Sequence, residues 1–180
     1  MEKKYTLNMI PEVIAGYNIY DGVDGNQLIG VSGEMSIANL QAMTSEISGA
    51  GIAGSYTAPV IGFYQDISQD IPFRTMYVQV AKFMDPMRKL MINVRGLMQV
   101  VDRTTGIRDR IPFRYVVGGS ATAVNPGSMQ LGNPMGSTLT IGATYILLEV
   151  GGNVLVEIDK LNQVCVINGN DLLSDIRNYC

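Results

Sequence analysis

The residues whose spacing most resembles a chemical site are three glycines. Gly49, Gly51 and Gly54 follow the pattern G-x-G-x-x-G. In dinucleotide-binding proteins this pattern lets the backbone of a turn approach a pyrophosphate at the N-terminus of a helix. Here the chain runs through Ser55 to Pro59, which leaves no room for such a helix. We therefore predict a flexible or tightly apposed loop between two strands at these glycines, not a nucleotide site.

The remaining reactive residue types do not assemble into a recognisable site. The chain has no histidine, which removes the commonest general base and transition-metal ligand. Cys165 and Cys180 match neither a metal spacing nor a disulfide framework. Glu157 and Asp159 share one face of a predicted strand beside Lys160, an arrangement that favours an ion pair over a catalytic couple. We predict a protein that is not an enzyme and that needs no cofactor and no metal.

Basic residues concentrate in one segment, residues 88–114. It holds seven of the thirteen Lys and Arg against two acids. The seven are Arg88, Lys89, Arg95, Arg103, Arg108, Arg110 and Arg114. Three interpretations remain open: a nucleic-acid stripe, a hairpin tip with cross-strand pairs such as Asp102 with Arg108, or a surface that docks onto an acidic face of a neighbouring copy.

Length and composition indicate a single domain over residues 1–180. Charged residues make up 16% of the chain, below the usual level of about 25%. Two explanations are open for a surface with so few charges: partners cover part of it, or the chain is a β-protein rich in Gly, Ser and Thr. The N-terminus lacks the apolar region of a signal peptide, and no apolar run is long enough to span a bilayer. We expect synthesis in a reducing cytoplasm.

The elements are mostly strands, of which residues 136–167 are the clearest. The odd-numbered positions carry Leu139, Ile141, Ala143, Tyr145 and Leu147. The even-numbered positions carry Thr138, Thr140, Gly142 and Thr144. This alternation predicts a long strand with one apolar face and one small, polar face. Gly151 and Gly152 then predict a tight turn and a return strand.

The rest of the chain predicts further hairpins and two helices. We expect a hairpin in residues 11–31 with its second strand at 27–31, and strands at 65–73, 89–101 and 108–118. Residues 36–48 suit either a helix or a strand, and 119–134 reads as a loop. Helices are expected at 75–84, stopped by Asp85 and Pro86, and at the C-terminus. There Asn170 is the expected N-cap, with Leu172, Leu173 and Ile176 on one face.

Read in order, these segments resemble the major tail tube protein of contractile-tailed phages and of phage-tail-like bacteriocins, the R-type tailocins. The matching stretches are MIPEV at 9–13, LIGV at 28–31, SGAGIAG at 48–54, IPFRT at 71–75, NPMG at 133–136, EIDKLN at 157–162 and VINGNDLL at 166–173. The resemblance implies a mainly β subunit, a β-sandwich or barrel with long extended hairpins and one or two flanking helices.

The resemblance also implies a structural function. Subunits of this family form hexameric rings that stack into the hollow inner tube of a contractile tail, a passive conduit for DNA or ions surrounded by a sheath. The alternatives are a tube protein like that of type VI secretion and a β-barrel nucleic-acid-binding protein.

Partners and location follow from the same resemblance. Implied partners are further copies of the chain, the sheath protein, the baseplate tube initiator, the tail terminator and the tape-measure protein in the lumen. Neither specific nucleic-acid binding nor direct membrane insertion is expected. The protein would be made in the cytoplasm of a bacterial host and become part of a virion or tailocin tail.

Two groups of residues are expected to serve assembly. The candidates for contacts between subunits or rings are Gly49, Gly51, Ile52, Gly54, Tyr56, Arg103, Arg108, Asn125, Met129 and Met135. The candidates for the lumen wall are Thr138, Thr140 and Thr144, because a small polar surface without positive charge does not hold a passing phosphate backbone.

Overall fold

The fold was taken from a computed structural model that describes residues 5–28, 30–31, 33–85 and 87–180, with Gln79 described by its backbone only. Within these residues the strands are β1 (Met9–Asp21), β2 (Ala42–Ser48), β3 (Ser55–Tyr64), β4 (Ser68–Phe73), β5 (Leu90–Asp102), β6 (Arg108–Asn125), β7 (Ser137–Val150), β8 (Asn153–Asp159), β9 (Val164–Ile167) and β10 (Asn170–Asp171). The helices are α1 (Val78–Lys82) and α2 (Ser174–Tyr179). The predicted class, mainly β with short helices, is confirmed.

Eight strands form one antiparallel sheet that curls around a single core. The strand order is β1-β5-β6-β7-β8-β9-β10, and β4 pairs with the first half of β7. Ile19 of β1 and Cys165 of β9 come from nearly opposite ends of this order, yet both belong to the same buried cluster. The sheet must therefore bend strongly to bring these strands into one core.

The predicted parity of β7 holds only for its first half. Leu139, Ile141 and Ala143 are buried in the core as expected. Gly118 then pairs with Tyr145 and Gly119 with Ala143, so that β7 has one extra residue, a β-bulge, at Thr144. Beyond the bulge Ile146 joins the core instead, and Tyr145 and Leu147 line a groove on the opposite face of the sheet. The prediction of one apolar face through Leu147 was wrong, because a bulge reverses the alternation.

Strands β2 and β3 form a separate two-stranded ribbon, β2–β3. The base of the ribbon is closed by a hydrogen bond from the Gln65 amide to the Gln41 carbonyl, at 2.9 Å. Residues 36–48, which suited either a helix or a strand, therefore form a strand over their second half. Strand β3 was missed because it contains Pro59, which pairs with Thr44. A strand with an open edge tolerates proline, since the missing N–H faces away from the ladder.

The N-terminal hairpin prediction was wrong. β1 pairs with β5 along its whole length, and the described residues of the expected return strand form two isolated bridges, Gln27 with Tyr20 and Val31 with Phe73. Ile29 of that predicted strand lies outside the described residues.

Three boundaries also differ from expectation. β6 continues to Asn125, so the first part of the predicted loop is strand. α1 is confined to Val78–Lys82, and Pro86 of its predicted stop lies outside the described residues. At the C-terminus Asn170 belongs to β10 and Leu173 is the N-cap of α2, with its side chain buried in the core.

Candidate assembly surfaces

The ribbon β2–β3 carries the glycine segment at its tip. The amide of Ile52 donates to the Gly49 carbonyl at 3.1 Å, and the amide of Gly54 donates to the Ile52 carbonyl at 3.0 Å. Gly51 has φ +90° and Gly54 has φ +109°, values that favour glycine. The strand β3 follows directly, without a helix. The prediction of a loop between two strands is confirmed.

Large apolar side chains are exposed along β3 of the ribbon, near the start of β2 and at the tip. They are Met43, Ile52, Tyr56, Val60, Ile61 and Phe63. Ile61 is 71% exposed. Of these, Ile52 and Tyr56 were candidates from the sequence, whereas Val60, Ile61 and Phe63 were missed with their strand. Their signal was the concentration of β-branched and aromatic residues after Pro59.

The loop between β6 and β7, residues 126–136, presents a second exposed apolar surface. The Asn125 carboxamide oxygen accepts the Gly127 amide at 2.9 Å, and the Ser128 amide donates to the Met135 carbonyl at 2.9 Å. These bonds hold the loop closed while its tip projects. Met129 is 89% exposed and Leu131 is fully exposed. Asn125 and Met135 therefore shape a loop whose apolar tip is Met129 and Leu131.

The turn between β5 and β6 carries Arg103 and Arg108. Asp102 accepts the amides of Thr104 and Thr105 at 2.8 and 2.9 Å, which lowers the pKa of its carboxyl group. Arg108 binds Glu12 of β1 with an N–O distance of 3.2 Å, so the expected pair with Asp102 was wrong. The pairing of β1 with β5 brings Glu12 within reach, which no local pattern reveals.

The other basic residues of 88–114 separate into paired and unpaired groups. Arg88 reaches Asp21 and Asp24 at 2.7 and 2.8 Å. Arg114 lies 3.9 Å from Glu149. Arg95 and Arg110 are exposed, and their guanidinium groups form no ion pair within the part of the chain that the structure describes. The basic segment is thus partly neutralised within the subunit and partly left open on one face of β5 and β6.

The threonines proposed for a lumen wall lie on β7 away from the core. Thr138 and Thr140 are half-buried, and the Thr140 hydroxyl donates to an Asp70 carboxylate oxygen at 2.6 Å. Thr144 is the bulge residue, and its hydroxyl lies 3.5 Å from the Gly118 carbonyl oxygen. Thr138 and Thr140 therefore share a face, and Thr144 lies where the alternation reverses.

The groove on this face of the sheet has a volume of about 530 Å³ and includes Tyr145, Leu147, Arg114 and Asp159. The Tyr145 hydroxyl donates to Glu157 at 3.1 Å, and burial together with this carboxylate raises the pKa of Tyr145 to about 12. The Asp159 carboxylate accepts the amides of the turn that follows it. The expected pair between these acids and Lys160 was wrong, since the Lys160 ammonium donates to the Gln65 carbonyl.

The described residues contain no cluster of metal-ligating side chains. Nor does any helix among them have the length and apolarity needed to cross a membrane.

Comparisons with known proteins agree on one family. The family described as phage tail tube protein FII matches residues 11–179. The tail tube protein of Escherichia phage P2 is 25% identical over 174 residues, which covers 93% of this chain and 96% of that protein. A solved structure of the PVC sheath/tube terminator of an extracellular contractile injection system, in its extended state, has a TM-score of 0.54 at 10% identity. The match covers 78% of this chain and 97% of the other chain, and the two chains share a fold. This chain belongs to the phage tail tube protein FII family, whose members are structural proteins and not enzymes.

Proposed function

We propose that this chain forms hexameric rings that stack into the hollow inner tube of a contractile tail, within a sheath. The observation that carries the proposal is the ribbon β2–β3. It is a two-stranded sheet with apolar side chains exposed along β3, near the start of β2 and at the tip. A two-stranded ribbon by itself is only marginally stable in water. Here Gly62 packs on Leu173 near the base, and a partner would stabilise the exposed remainder of the ribbon.

Neighbouring copies supply that partner in a ring. β1 pairs with β5 on one side and has no strand on its other side within the described residues. The ribbon likewise has open edges. Open edges and exposed apolar surface favour association between strands of different copies. A ring that closes by rotation uses two different complementary surfaces on each subunit.

Stacking of rings engages the two projecting loops. The glycine tip of the ribbon and the loop at 126–136 present Ile52, Met129 and Leu131 to solvent. Seating these side chains on the next ring removes apolar surface from water, which stabilises the contact. Tyr56, Arg103 and Arg108 would lie beside these contacts, with Asn125 and Met135 holding the loop in shape.

The conduit requires a wall that does not bind its cargo. Thr138 and Thr140 provide hydroxyl groups without charge, with Thr144 at the end of the same row. In such a tube the tape-measure protein comes first and DNA or ions follow. The wall does not bind the phosphate groups of passing DNA. The outer face meets the sheath protein, and the ends meet a baseplate initiator and a tail terminator. Assembly takes place in the cytoplasm of the bacterial host.

The test is electron microscopy of the purified protein at rising concentration, together with light scattering. Sixfold rings or hollow tubes are expected, and tails from producing cells should contain the protein inside a sheath. A closed oligomer without a channel would overturn the proposal. A monomer that binds single-stranded DNA with steep salt dependence would instead favour the nucleic-acid-binding alternative.

A further inference from the structure

The strands β1, β5 and β6 form a groove of about 560 Å³ on the outward face of the sheet. Its floor is open at Gly16, which has no atom within 4 Å of the position that a Cβ would occupy. Beside it, the Cβ position of Gly96 points to the other face of the sheet, where it would lie 3.0 Å from the Tyr17 Cβ and 3.4 Å from the Phe113 ring. Arg95 and Arg110 stand on its walls. The groove thus combines an open floor with two guanidinium groups.

This face carries more positive charge than the subunit neutralises. Arg95 pairs in register with Arg114 of β6, and like charges placed directly opposite each other are destabilising. Arg114 has Glu149 at 3.9 Å, and Arg95 lies over the Tyr20 ring at 5.2 Å. Neither the Arg95 nor the Arg110 guanidinium group forms an ion pair in the described chain, although the Arg110 backbone amide donates to the Asp109 carboxylate at 2.7 Å. A carboxylate placed in the groove would relieve this repulsion, and arginine binds carboxylates in forked geometry.

The same chain offers the opposite charge elsewhere. Residues 88–114 have seven basic against two acidic residues, a balance of +5. The remainder has six basic against fourteen acidic residues, a balance of −8, which gives the net charge of −3. Such a separation of charge favours heterologous contact between copies, with a basic surface of one meeting an acidic surface of the next.

Glu46 is the carboxylate best placed to reach a neighbour. It lies on β2 opposite Thr57, is exposed, and has no ion pair within the described part of the chain. It is the one charged residue of residues 42–64, the segment that forms the ribbon. The ribbon is not hydrogen-bonded into the main sheet, and most of its residues are exposed. A contact through the ribbon therefore brings Glu46 to the surface of the next copy.

We propose that Glu46 of one copy binds in the groove between Arg95 and Arg110 of an adjacent copy. This proposal rests on the proposed self-assembly and identifies the residues that select the neighbouring copy. Since each copy has both the ribbon and the groove, the contact repeats from copy to copy. Salt should weaken it, because the charges lie near the surface.

The test is a charge exchange. Glu46→Arg and Arg110→Glu should each raise the concentration needed for assembly roughly tenfold, and the double variant should return it to within about threefold of the unchanged protein. Asp66→Arg and Lys82→Glu are the matched controls, since they reverse exposed charges outside the contact. Circular dichroism and thermal unfolding of the free subunits verify that the variants fold. Assembly of Glu46→Arg at the normal concentration, or a double variant no better than the worse single one, would overturn the contact.

A cross-linking experiment provides a second measurement. In a Cys180→Ser background, Glu46→Cys and Arg110→Cys on one chain should give a ladder of oligomers with a short bis-maleimide. The matched pair Asp66→Cys with Arg110→Cys should not. Assemblies without the ladder would reject this contact but leave the tube intact. If the unchanged protein forms no assemblies under any condition and the ladder is absent, both the proposed contact and the proposed function are wrong.

Discussion

The Tyr115 hydroxyl donates a 2.7 Å hydrogen bond to the Gln69 carboxamide oxygen inside the core. That oxygen also accepts the Ala38 amide at 2.9 Å, and the Gln69 amide group donates to the Ser36 carbonyl at 2.7 Å. Gln69 and Tyr115 are each 1% exposed. A single buried side chain on β4 thus joins β6 to the segment that leads into the ribbon β2–β3, and it fixes where the ribbon leaves the sheet.

Replacing Tyr115→Phe should lower the free energy of unfolding by about 1 kcal/mol, because one buried hydrogen bond is lost while Gln69 keeps Ala38 as a donor. Urea denaturation measures the change. Tyr179→Phe is the control, since Tyr179 is exposed and a surface substitution should change stability by less than about 0.5 kcal/mol. Equal effects at both positions would contradict the role of the buried bond.

Alkaline pH should destabilise the subunit through its buried tyrosines. Burial raises the pKa of Tyr115 from 10.0 to about 12. Below pH 10 both folded and unfolded chains keep this proton, so its contribution to stability is fully present. Between these two values the unfolded chain ionises first, and stability falls as pH rises. Urea midpoints from neutral pH to pH 12 should fall less steeply in Tyr115→Phe. An identical slope would contradict the prediction.

Gly51→Val should block tube growth while the subunit remains folded. Gly51 has φ +90° and no atom within 4 Å of a Cβ position, so the variant carries backbone strain of about 1–3 kcal/mol without a clash. Gly169→Val has the same features, with φ +80°, outside the proposed contacts. Electron microscopy should show tubes for the Gly169 variant only. Normal tubes from Gly51→Val would reject the role of the ribbon tip.

Met129→Ser should weaken assembly without changing the stability of the free subunit. The side chain is 89% exposed, so the subunit loses little buried surface, whereas a stacked ring loses an apolar contact. Met87→Ser serves as the control because Met87 is 91% exposed outside the loop. Light scattering against concentration compares the two. A loss of assembly in both variants, or in neither, would contradict a specific role for the loop at 126–136.

Arg88→Met should destabilise the subunit by about 2–4 kcal/mol, since the Asp21 side chain, only 7% exposed, loses its cation. The double variant with Asp21→Asn should recover part of this loss, because the buried charge is then absent. Chemical denaturation of the two single variants and the double variant gives the coupling between the residues. Additive effects would show that the pair does not interact.

Part of the candidate site was predictable because its signals are local. The glycines at the ribbon tip, Gly151–Gly152 and the strand alternation through Ala143 depend on residues close in sequence. The exposed Met129 was predictable for the same reason. Val60, Ile61 and Phe63 were not, because Pro59 argues against a strand unless the strand is known to have an open edge.

The amino-acid sequence by itself determined the mainly β class and the glycine turns at the ribbon tip and at Gly151–Gly152, since backbone preferences act over a few residues. Only the tertiary structure decided which strands meet. It paired β1 with β5, brought Glu12 to Arg108, and placed a bulge at Thr144 that moves Ile146 into the core. The packing of distant segments around one core determines which strands pair and where bulges form. The alternation of side chains along a strand does not reveal the partner, because it has the same two-residue period whichever strand it pairs with.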